Sequence, residues 1–293
     1  GLLTVDANNL NFLKLPKVDL FASSFAGGAH GYPLNCENYD LEDRKKMILI
    51  DKNFIKQTKF KYLKKIKPSY FLPYAGFFKE KLKRDEIYIK YNKKNETEDY
   101  SAICKKYNVN LLDPEKKNIF EFQGNKSCKK SKYKGKFYKD LSSDKYLSYF
   151  SNKYQIVDID YIKNYFLNSD FHDGSKLYIS LTNDNFESQG IDFKVEFSKK
   201  IKFSLIDEDF QDFVKKDYNY LYLKIRKEAF LNTIYNKRSW EDISIGFQNR
   251  QFRNPNKYNN NFWHHFSNKY VSKKFVKSIT DCSNCINLNQ DIH

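Results

Sequence analysis

The stretch Val18-Asp-Leu-Phe-Ala-Ser-Ser-Phe-Ala-Gly-Gly-Ala-His-Gly-Tyr-Pro33 runs from a short apolar segment into a glycine-rich loop. The apolar part, Val18–Ala22, is typical of a buried strand. The loop contains Gly27, Gly28 and Gly31, and glycine lets the backbone adopt φ > 0 and lets a ligand come close to the main chain. In α/β proteins the loops at the carboxyl ends of strands bind ligands. The stretch therefore predicts a strand followed by a ligand-binding loop.

A long helix and another buried strand are predicted to follow the loop. Apolar residues recur at helical spacing from Asp40, a capping residue, to Ile66, and Pro68 ends the pattern. Ser69–Leu72 then has the composition of a buried strand, and Pro73 opens the next loop. Two strands joined by one helix are parallel neighbours. The region therefore predicts a β–α–β unit.

Three strand ends are expected to meet at one edge of this sheet. A further strand, Leu2–Val5, opens the chain and is followed directly by Asp6. If this strand is also parallel, Asp6, the loop 25–33 and the loop 73–78 converge, and such a convergence forms a site. The candidate substrate-binding residues of these loops are Phe25, Gly27, Gly28, His30 and Tyr74.

Asp6, His30 and two arginines are the candidates for specific chemistry. A carboxylate at a strand end is suited to bind a metal ion or to act as a general base, although Asp is also common in ordinary turns. His30 is a candidate ligand or acid–base group, and the alternative is a polar surface residue. Arg250 and Arg253, which we assign to a polar turn before Pro255, suit a phosphate or carboxylate of the substrate. The alternative for this pair is an inter-domain salt bridge.

The second half of the chain alternates short β-type runs with helical segments. His264 and His265 are adjacent, so on a helix they point about 100° apart and do not readily share a metal ion. We expect them to pack beside Trp263. The predicted helices are Tyr154–Phe166 and Glu228–Tyr235, and the predicted strands are Lys176–Leu181, Phe193–Phe197, Ile201–Leu205 and Tyr218–Ile225.

The 293 residues carry a net charge of +16, from 52 Lys+Arg and 36 Asp+Glu. Such an excess favours anionic partners, but the lysines are scattered along the chain, so a nucleic-acid partner is not favoured. The lysine-rich segment 126–139 is either a phosphate-binding patch or, as we favour, a solvated loop.

The five cysteines are scattered and form no disulfide framework, which is typical of a reducing cytoplasm. Cys282 and Cys285 have the spacing of half a zinc site, but no second pair stands nearby, so we interpret them as free thiols. No apolar segment approaches the ~20 residues that span a bilayer, and no signal peptide is evident. We therefore expect a cytoplasmic location and no membrane partner.

A set of short motifs narrows the function class. They are Thr4-Val-Asp6, Phe25-Ala-Gly-Gly-Ala-His-Gly-Tyr-Pro33, Lys67-Pro68, Pro73-Tyr-Ala-Gly-Phe77, Ile245-Gly-Phe-Gln-Asn-Arg250, Arg253-Asn-Pro-Asn-Lys-Tyr258 and Phe262-Trp-His-His-Phe266. In this order, across nearly the whole chain, they resemble the carboxyl-terminal part of the CMP-N-acetylneuraminate hydroxylase (monooxygenase) family and its Rieske and metallo-β-lactamase-like relatives. The combination is specific, whereas no single motif is.

The resemblance implies an α/β fold made of two domains. Residues 1–145 would form the second half of a metallo-β-lactamase-like αββα sandwich, residues 146–275 a small α+β domain, and residues 276–293 a polar tail. Because the chain begins inside an apparent strand, we expect the back part of a longer protein. Asp6 would match the strand-end Asp that bridges metals in such folds. Near Pro73–Gly76, where many hydrolases of that fold place their last His ligand, this chain has none, which fits an oxygenase better than a dinuclear zinc enzyme.

The resemblance also implies an activity. Such an enzyme inserts one oxygen atom into the N-acyl group of CMP-N-acetylneuraminate or a related CMP-nonulosonate, with electrons passed through a Rieske [2Fe–2S] cluster. The full-length protein is expected to hold that cluster and a catalytic metal, and to use an electron-transfer donor and its reductase; this chain alone is expected to be inactive. Two alternatives stay open: a metal-dependent hydrolase of the metallo-β-lactamase superfamily, and a non-catalytic nucleotide or nucleic-acid binding module.

Overall fold

The computed structural model describes residues 1–4, 10–12, 14–26, 31–76, 80–114, 118–123, 127–135, 142–206, 217–245 and 247–271. The chain divides into two compact units. The first consists of Gly1–Ala29, Leu41–Lys81 and Asp85–Asp140, and the second of His30–Asp40, Leu82–Arg84 and Leu141–His293. Both units combine helices with β-sheet, so the mixed α/β class is confirmed.

The first unit contains a parallel sheet. Its strands are β1 (Leu2–Thr4), β2 (Leu20–Ser24), β3 (Tyr70–Tyr74) and β4 (Asn110–Leu111), in that spatial order. Each neighbouring pair is parallel, and helix α1 (Leu41–Ile66) joins β2 to β3. The predicted β–α–β unit is therefore confirmed, and the first strand is parallel as expected. Strand β2 begins and ends two residues later than the apolar run, because its pairing with β3 fixes its bounds.

Helix α1 packs through one stripe of buried residues. Tyr62 and Leu63 join Phe21 of β2 and Phe71 of β3 in one apolar cluster. The rings of Phe21 and Phe71 stack with their centroids 5.5 Å apart. The helix has acidic residues in its first turn and lysines in its last, which matches the helix dipole. The predicted helix is confirmed.

The lysine-rich segment does not form only a loop. Residues Ser127–Lys132 form strand β6, which pairs antiparallel with β5 (Asn118–Gln123). The expectation of a loop is therefore wrong for these six residues, although both strands are exposed or half-buried, as a solvated segment would be. The pairing partner is Asn-Ile-Phe-Glu-Phe-Gln, an alternating sequence just upstream. Helices α2 (Glu86–Tyr91) and α3 (Ser101–Lys106) and the short 3-10 helix Thr97–Tyr100 also belong to this unit.

The second unit contains a five-stranded mixed sheet in the spatial order β11-β10-β7-β8-β9. The strands β7 and β10 are parallel, and the other neighbours are antiparallel. The four predicted strands are present, but β11 was not predicted. The strands are β7 (Lys176–Thr182), β8 (Ser188–Glu196), β9 (Lys202–Leu205), β10 (Tyr220–Arg226) and β11 (Asn249–Asn254).

One face of this sheet is covered by helices. The described helices of the unit are α4 (Ser143–Lys153), α5 (Ile159–Leu167), α6 (Lys227–Tyr235), α7 (Glu241–Ile245) and α8 (Asn260–Asn268). The single helix predicted over Tyr154–Phe166 is wrong at its start, because Asp158 caps a new helix by accepting a hydrogen bond from the Tyr161 amide at 2.9 Å. Trp240, fully buried, lies in the core and donates to the Tyr165 hydroxyl at 2.9 Å.

Candidate functional site

The parallel strands of the first unit end at one edge. Thr4 pairs with Ser23, and Ser24 pairs with Tyr74. The hydroxyl of Thr4 donates to the hydroxyl of Ser23 across the two strands at 2.8 Å. The predicted convergence of strand ends is therefore confirmed up to these residues. The candidate metal ligand Asp6 lies outside the described residues, as do Gly27, Gly28 and His30.

Phe25 begins the loop that follows β2, and its side chain is 1% exposed. Its ring packs edge-on against Tyr100. Its carbonyl accepts hydrogen bonds from the Asn95 amide nitrogen Nδ2 and from the Tyr100 hydroxyl, both at 3.1 Å. Asn95 is itself buried and also donates to the Lys52 carbonyl at 3.0 Å. These contacts to Phe25 fix the start of the glycine loop. Asn95 is therefore a positioning residue, and the local sequence did not indicate it.

Tyr74 is the last residue of β3 and is half-buried. The two residues after it, Ala75 and Gly76, have φ of 62° and 90°. This left-handed backbone turns the chain sharply as it leaves the sheet. Tyr74 therefore lies at the same strand-end edge as Ser24, where the sequence placed it, and its role toward a substrate stays a prediction.

The segment that follows the glycine loop pairs with β11 in the second unit. The Gln251 amide donates to the Asn35 carbonyl, and the Glu37 amide donates to the Gln251 carbonyl, each at 2.7 Å. The Asn35 side chain donates to the Asn249 side chain at 3.0 Å. Residues 35–37 therefore extend the sheet past β11. They place the segment that follows the glycine loop beside the strand that contains Arg250 and Arg253.

Arg253 is a strand residue and not a turn residue, and it is 8% exposed. Its Nε donates to the Asn256 side-chain oxygen at 3.1 Å, and its guanidinium lies 5.9 Å from the centroid of the Tyr32 ring. Burial, followed by the neighbouring Tyr39, raises the pKa of Tyr32 to about 12. The Tyr32 phenol is therefore neutral at physiological pH and presents a hydroxyl beside a buried cation.

Arg250 lies on the opposite face of the same strand, because side chains alternate along a strand and the two arginines are three positions apart. Its guanidinium lies 4.2 Å from the centroid of the Phe186 ring, and that of Arg226 lies 4.5 Å from it. The structure therefore does not bring Arg250 and Arg253 together as one anion clamp. Their assignment to a turn is wrong because pairing with β10 and with residues 35–37 makes the segment a strand.

A polar cluster on the second sheet was not anticipated from the sequence. The Asp217 carboxylate accepts hydrogen bonds from the Lys176 ammonium and from the Tyr178 hydroxyl. Burial acts to raise the pKa of Asp217, but these two hydrogen bonds, together with one from the Tyr218 backbone N–H and the charge of Lys176, outweigh it and hold the pKa below its ordinary value. Tyr178 is fully buried, and its pKa is raised by burial and by Asp217. Asp217, Lys176 and Tyr178 thus form one hydrogen-bonded network on the sheet face opposite the apolar core.

The second unit also contains a cavity of about 1030 Å³. It is lined by helices α4, α6 and α7 and by the turn between β7 and β8. Arg84 and Arg226 line it and share the Asp184 carboxylate, at 2.5 and 3.8 Å. The Gln248 side-chain oxygen accepts hydrogen bonds from both guanidinium groups, at 3.4 and 3.5 Å. Local sequence could not indicate this cluster, because its members come from four separate segments.

No group of three or more His, Cys, Asp or Glu residues suited to a metal ion occurs within the described ranges. Cys36 and Cys104 are buried and lie in different units. Burial raises the pKa of Cys104 to about 11, so its thiolate is disfavoured. His264 and His265 lie on α8 beside Trp263, as expected, and His265 hydrogen-bonds the Ser169 carbonyl at 2.8 Å.

Curated proteins with one shared description match nearly the whole chain. Cytidine monophosphate-N-acetylneuraminic acid hydroxylase of Danio rerio is 28% identical over 288 residues, which cover 90% of this chain and 46% of that protein. The Xenopus laevis protein of the same name is 27% identical over 91% of this chain and 47% of its own length. That of Sus scrofa is 27% identical over 96% of this chain and 67% of its own length. The resemblance to these hydroxylases is confirmed.

The chain spans about half the length of the first two hydroxylases. No family model and no solved structure matches it. No described helix is both long and apolar enough to cross a membrane. The similarity to the hydroxylases extends over both units, because the matched stretch covers nine-tenths of the chain.

Proposed function

We propose that this chain is the carboxyl-terminal part of a Rieske-type monooxygenase that hydroxylates the N-acetyl group of CMP-N-acetylneuraminate or of a related CMP-nonulosonate. The observation that carries the proposal is the similarity to hydroxylases of that name over 90% of the chain. The parallel sheet whose strand ends converge supports a substrate-binding edge there. We further propose that the first unit is half of a metallo-β-lactamase-like sandwich, that the protein is cytoplasmic, and that it takes electrons from a separate donor and reductase.

The described residues do not fit a Rieske cluster. Such a cluster needs two Cys and two His ligands together, whereas no group of three or more described His, Cys, Asp or Glu residues is suited to a metal ion. The proposal therefore assigns the cluster and the catalytic metal largely to sequence outside this chain, with Asp6 as the one metal ligand contributed here.

The residues of this chain would bind and position the substrate. Loops at the carboxyl ends of β2 and β3 would lie against it, and Asn95 and Tyr100 would fix the first of these loops through the Phe25 carbonyl. Such positioning contributes to rate because a reacting group must be held in a productive geometry. The activity of the chain alone should be nil.

The test compares the longest reading frame that contains this chain with the 293-residue chain alone. Each is incubated with CMP-N-acetylneuraminate, O2 and an electron-donor system, and the sugar product is analysed by mass spectrometry for the added oxygen. We expect product from the longer protein only, together with an iron–sulfur absorption spectrum. Two zinc ions per chain, no iron–sulfur spectrum and hydrolytic activity would instead support the metallo-β-lactamase-like hydrolase. A protein with no metal and with salt-dependent nucleic-acid affinity would support the binding module.

A further inference from the structure

The cavity of the second unit has the size of a ligand site. Its volume, about 1030 Å³, lies at the upper end of the range usual for small-molecule pockets. The residues that line it lie between Arg84 and Gln248 in the sequence. The function proposed for the strand-end loops gives these residues no role. The occupant must therefore be deduced from the side chains that line it.

One group of lining residues has a cationic character. The Arg226 side chain is 1% exposed and donates to the carbonyls of Asp184, Arg84 and Phe247 at 3.0 to 3.4 Å. These neutral acceptors orient the guanidinium. Arg84 lies beside it, and both guanidinium groups contact the Asp184 carboxylate, which is 46% exposed. A half-exposed side chain on a turn is a partner that a stronger anion can displace.

Two buried polar atoms of the lining residues have no hydrogen-bond partner. They are Nε of Arg84 and the hydroxyl Oγ1 of Thr233, whose side chain is 1% exposed. A buried donor without a partner costs about 1 to 3 kcal/mol, so such groups are few in folded proteins and each requires an explanation. A bound ligand that pairs with them provides one.

The other polar lining residues are rich in neutral amides and hydroxyls. Besides Asp184, three carboxylates line the cavity: Glu228, which lies 3.9 Å from Lys227, Asp242, which lies 3.5 Å from Arg238, and Glu241. Amide and hydroxyl groups both donate and accept hydrogen bonds, which suits the hydroxyl groups of a sugar. The lining residues with such neutral groups include Ser148, Ser151, Asn152, Asn183, Asn185, Gln189, Asn232 and Gln248.

We propose that this cavity binds an acidic sugar, with its carboxylate or phosphate at Arg84 and Arg226 and its hydroxyl groups along the amide-lined wall. The anion takes the place of Asp184 between the two guanidinium groups and pairs with the free donors. The choice of a sugar as the organic part rests on the proposed function, whereas the anion site rests on the side chains alone. The cavity would then be a site for an acidic sugar in the second unit, in addition to the strand-end loops of the first unit.

Direct binding to the full 293-residue chain tests the proposal. Isothermal titration is performed with CMP-N-acetylneuraminate, free N-acetylneuraminate, CMP and neutral N-acetylmannosamine. We expect at least one of the two acidic sugars to bind and N-acetylmannosamine not to bind; the pair also distinguishes a carboxylate from a phosphate as the anion. Binding of CMP as tight as that of CMP-N-acetylneuraminate, with no binding of free N-acetylneuraminate, would overturn the assignment of a sugar. No binding by any acidic sugar would overturn the proposal.

Two variants locate the binding in this cavity. Thr233→Val removes the unpaired hydroxyl and keeps the shape, so we expect an unchanged or slightly higher melting temperature and about tenfold weaker binding. Arg84→Gln should weaken binding about 10- to 100-fold. The matched control is Thr182→Val, which removes another buried, unpartnered threonine hydroxyl that does not line the cavity. Equal affinity of Thr233→Val and the parent chain would overturn the proposal.

The binding assay and the hydroxylation assay test the two proposals separately. An acidic sugar that binds in a Thr233-dependent way, while the longer protein adds no oxygen, would support the cavity and contradict the proposed function. Hydroxylation by the longer protein, with Thr233→Val unchanged in affinity and in KM, would support the proposed function and contradict the cavity.

Discussion

Asn38 and Arg253 are 215 positions apart and are joined by two hydrogen bonds. The Asn38 amide nitrogen donates to the Arg253 carbonyl at 2.8 Å, and the Arg253 backbone N–H donates to the Asn38 side-chain oxygen at 3.0 Å. The Asn38 side chain thus pairs with both backbone groups of Arg253, as the backbone of a neighbouring strand would, at the point where the chain turns away from β11. It ties the segment after the glycine loop to the arginine motif and keeps the backbone of that motif extended.

Asn38→Leu should destabilise the second unit by about 1 to 3 kcal/mol, because a side chain of similar size leaves both backbone groups of Arg253 without this partner. Urea unfolding followed by circular dichroism measures the change. Asn168→Leu is the control, because its side chain donates one exposed hydrogen bond to its own helix. If the two variants lost equal stability, the bridge would not be a stabilising contact.

The sequence indicated the elements whose signals are local and missed those formed by distant partners. The β–α–β unit was predictable because apolar runs, a capping Asp and a terminating Pro each act within a few residues. Strand β11 was not, because its sequence, Asn-Arg-Gln-Phe-Arg-Asn, is polar. Its inward residues Asn249, Gln251 and Arg253 are buried, and Asn35 and Asn38 provide polar partners from more than 200 positions away.

The candidate site was predictable to the same extent. Parallel strand ends place Tyr74 and Ser24 at one edge, which follows from topology alone. The separation of Arg250 from Arg253 depends on whether the segment is a strand or a turn. Its polar local composition favours a turn, whereas the structure has a strand. Asn95 lies 70 positions from Phe25 in a polar stretch, so no periodicity could mark it as the residue that holds the loop.

Asn95→Ala should loosen the start of the glycine loop. The change removes the side-chain hydrogen bonds to the carbonyls of Phe25 and Lys52. We expect the free energy of unfolding to fall by about 2 kcal/mol. We expect faster hydrogen exchange at Ala26 and Tyr100 than in the parent chain. Asn110→Ala, which removes one exposed hydrogen bond to the Ser69 carbonyl, is the matched control. Unchanged exchange at Ala26 in Asn95→Ala would contradict the positioning role.

Phe186 has φ of 64°, which is unfavourable for a bulky residue, and the centroid of its ring lies 4.5 and 4.2 Å from the guanidinium groups of Arg226 and Arg250. The cation–π contacts offset that cost. Phe186→Leu keeps an apolar side chain but loses both contacts, so we expect a loss of about 1 to 2 kcal/mol in urea unfolding. Phe186→Tyr retains the ring and should stay within about 0.5 kcal/mol of the parent chain. A Tyr variant as unstable as the Leu variant would exclude the ring contacts as the cause.

His265 should make stability depend on pH in the mildly acidic range. Burial is the largest cause of its lowered pKa, and it outweighs the hydrogen bond to the Ser169 carbonyl. The unfolded chain, with an ordinary histidine pKa of about 6.5, therefore takes up a proton before the folded chain does. The contribution is fully present above about pH 6.5 and decreases as the pH falls below it. Asp170, Glu196 and Asp217, whose pKa values are also lowered, act in a more acidic range.

The measurement is urea unfolding between about pH 7 and pH 5. His265→Gln keeps an amide that can donate to the Ser169 carbonyl but cannot gain a charge, so the stability of this variant should fall less steeply over that range. Asn261→Gln, at an exposed position of the same helix, changes no titratable group, is the control, and should retain the slope of the parent chain. If His265→Gln kept the full slope, the acid sensitivity would come from a group other than this buried imidazole, and the packing of α8 against Phe171 and Ser169 would not be its source.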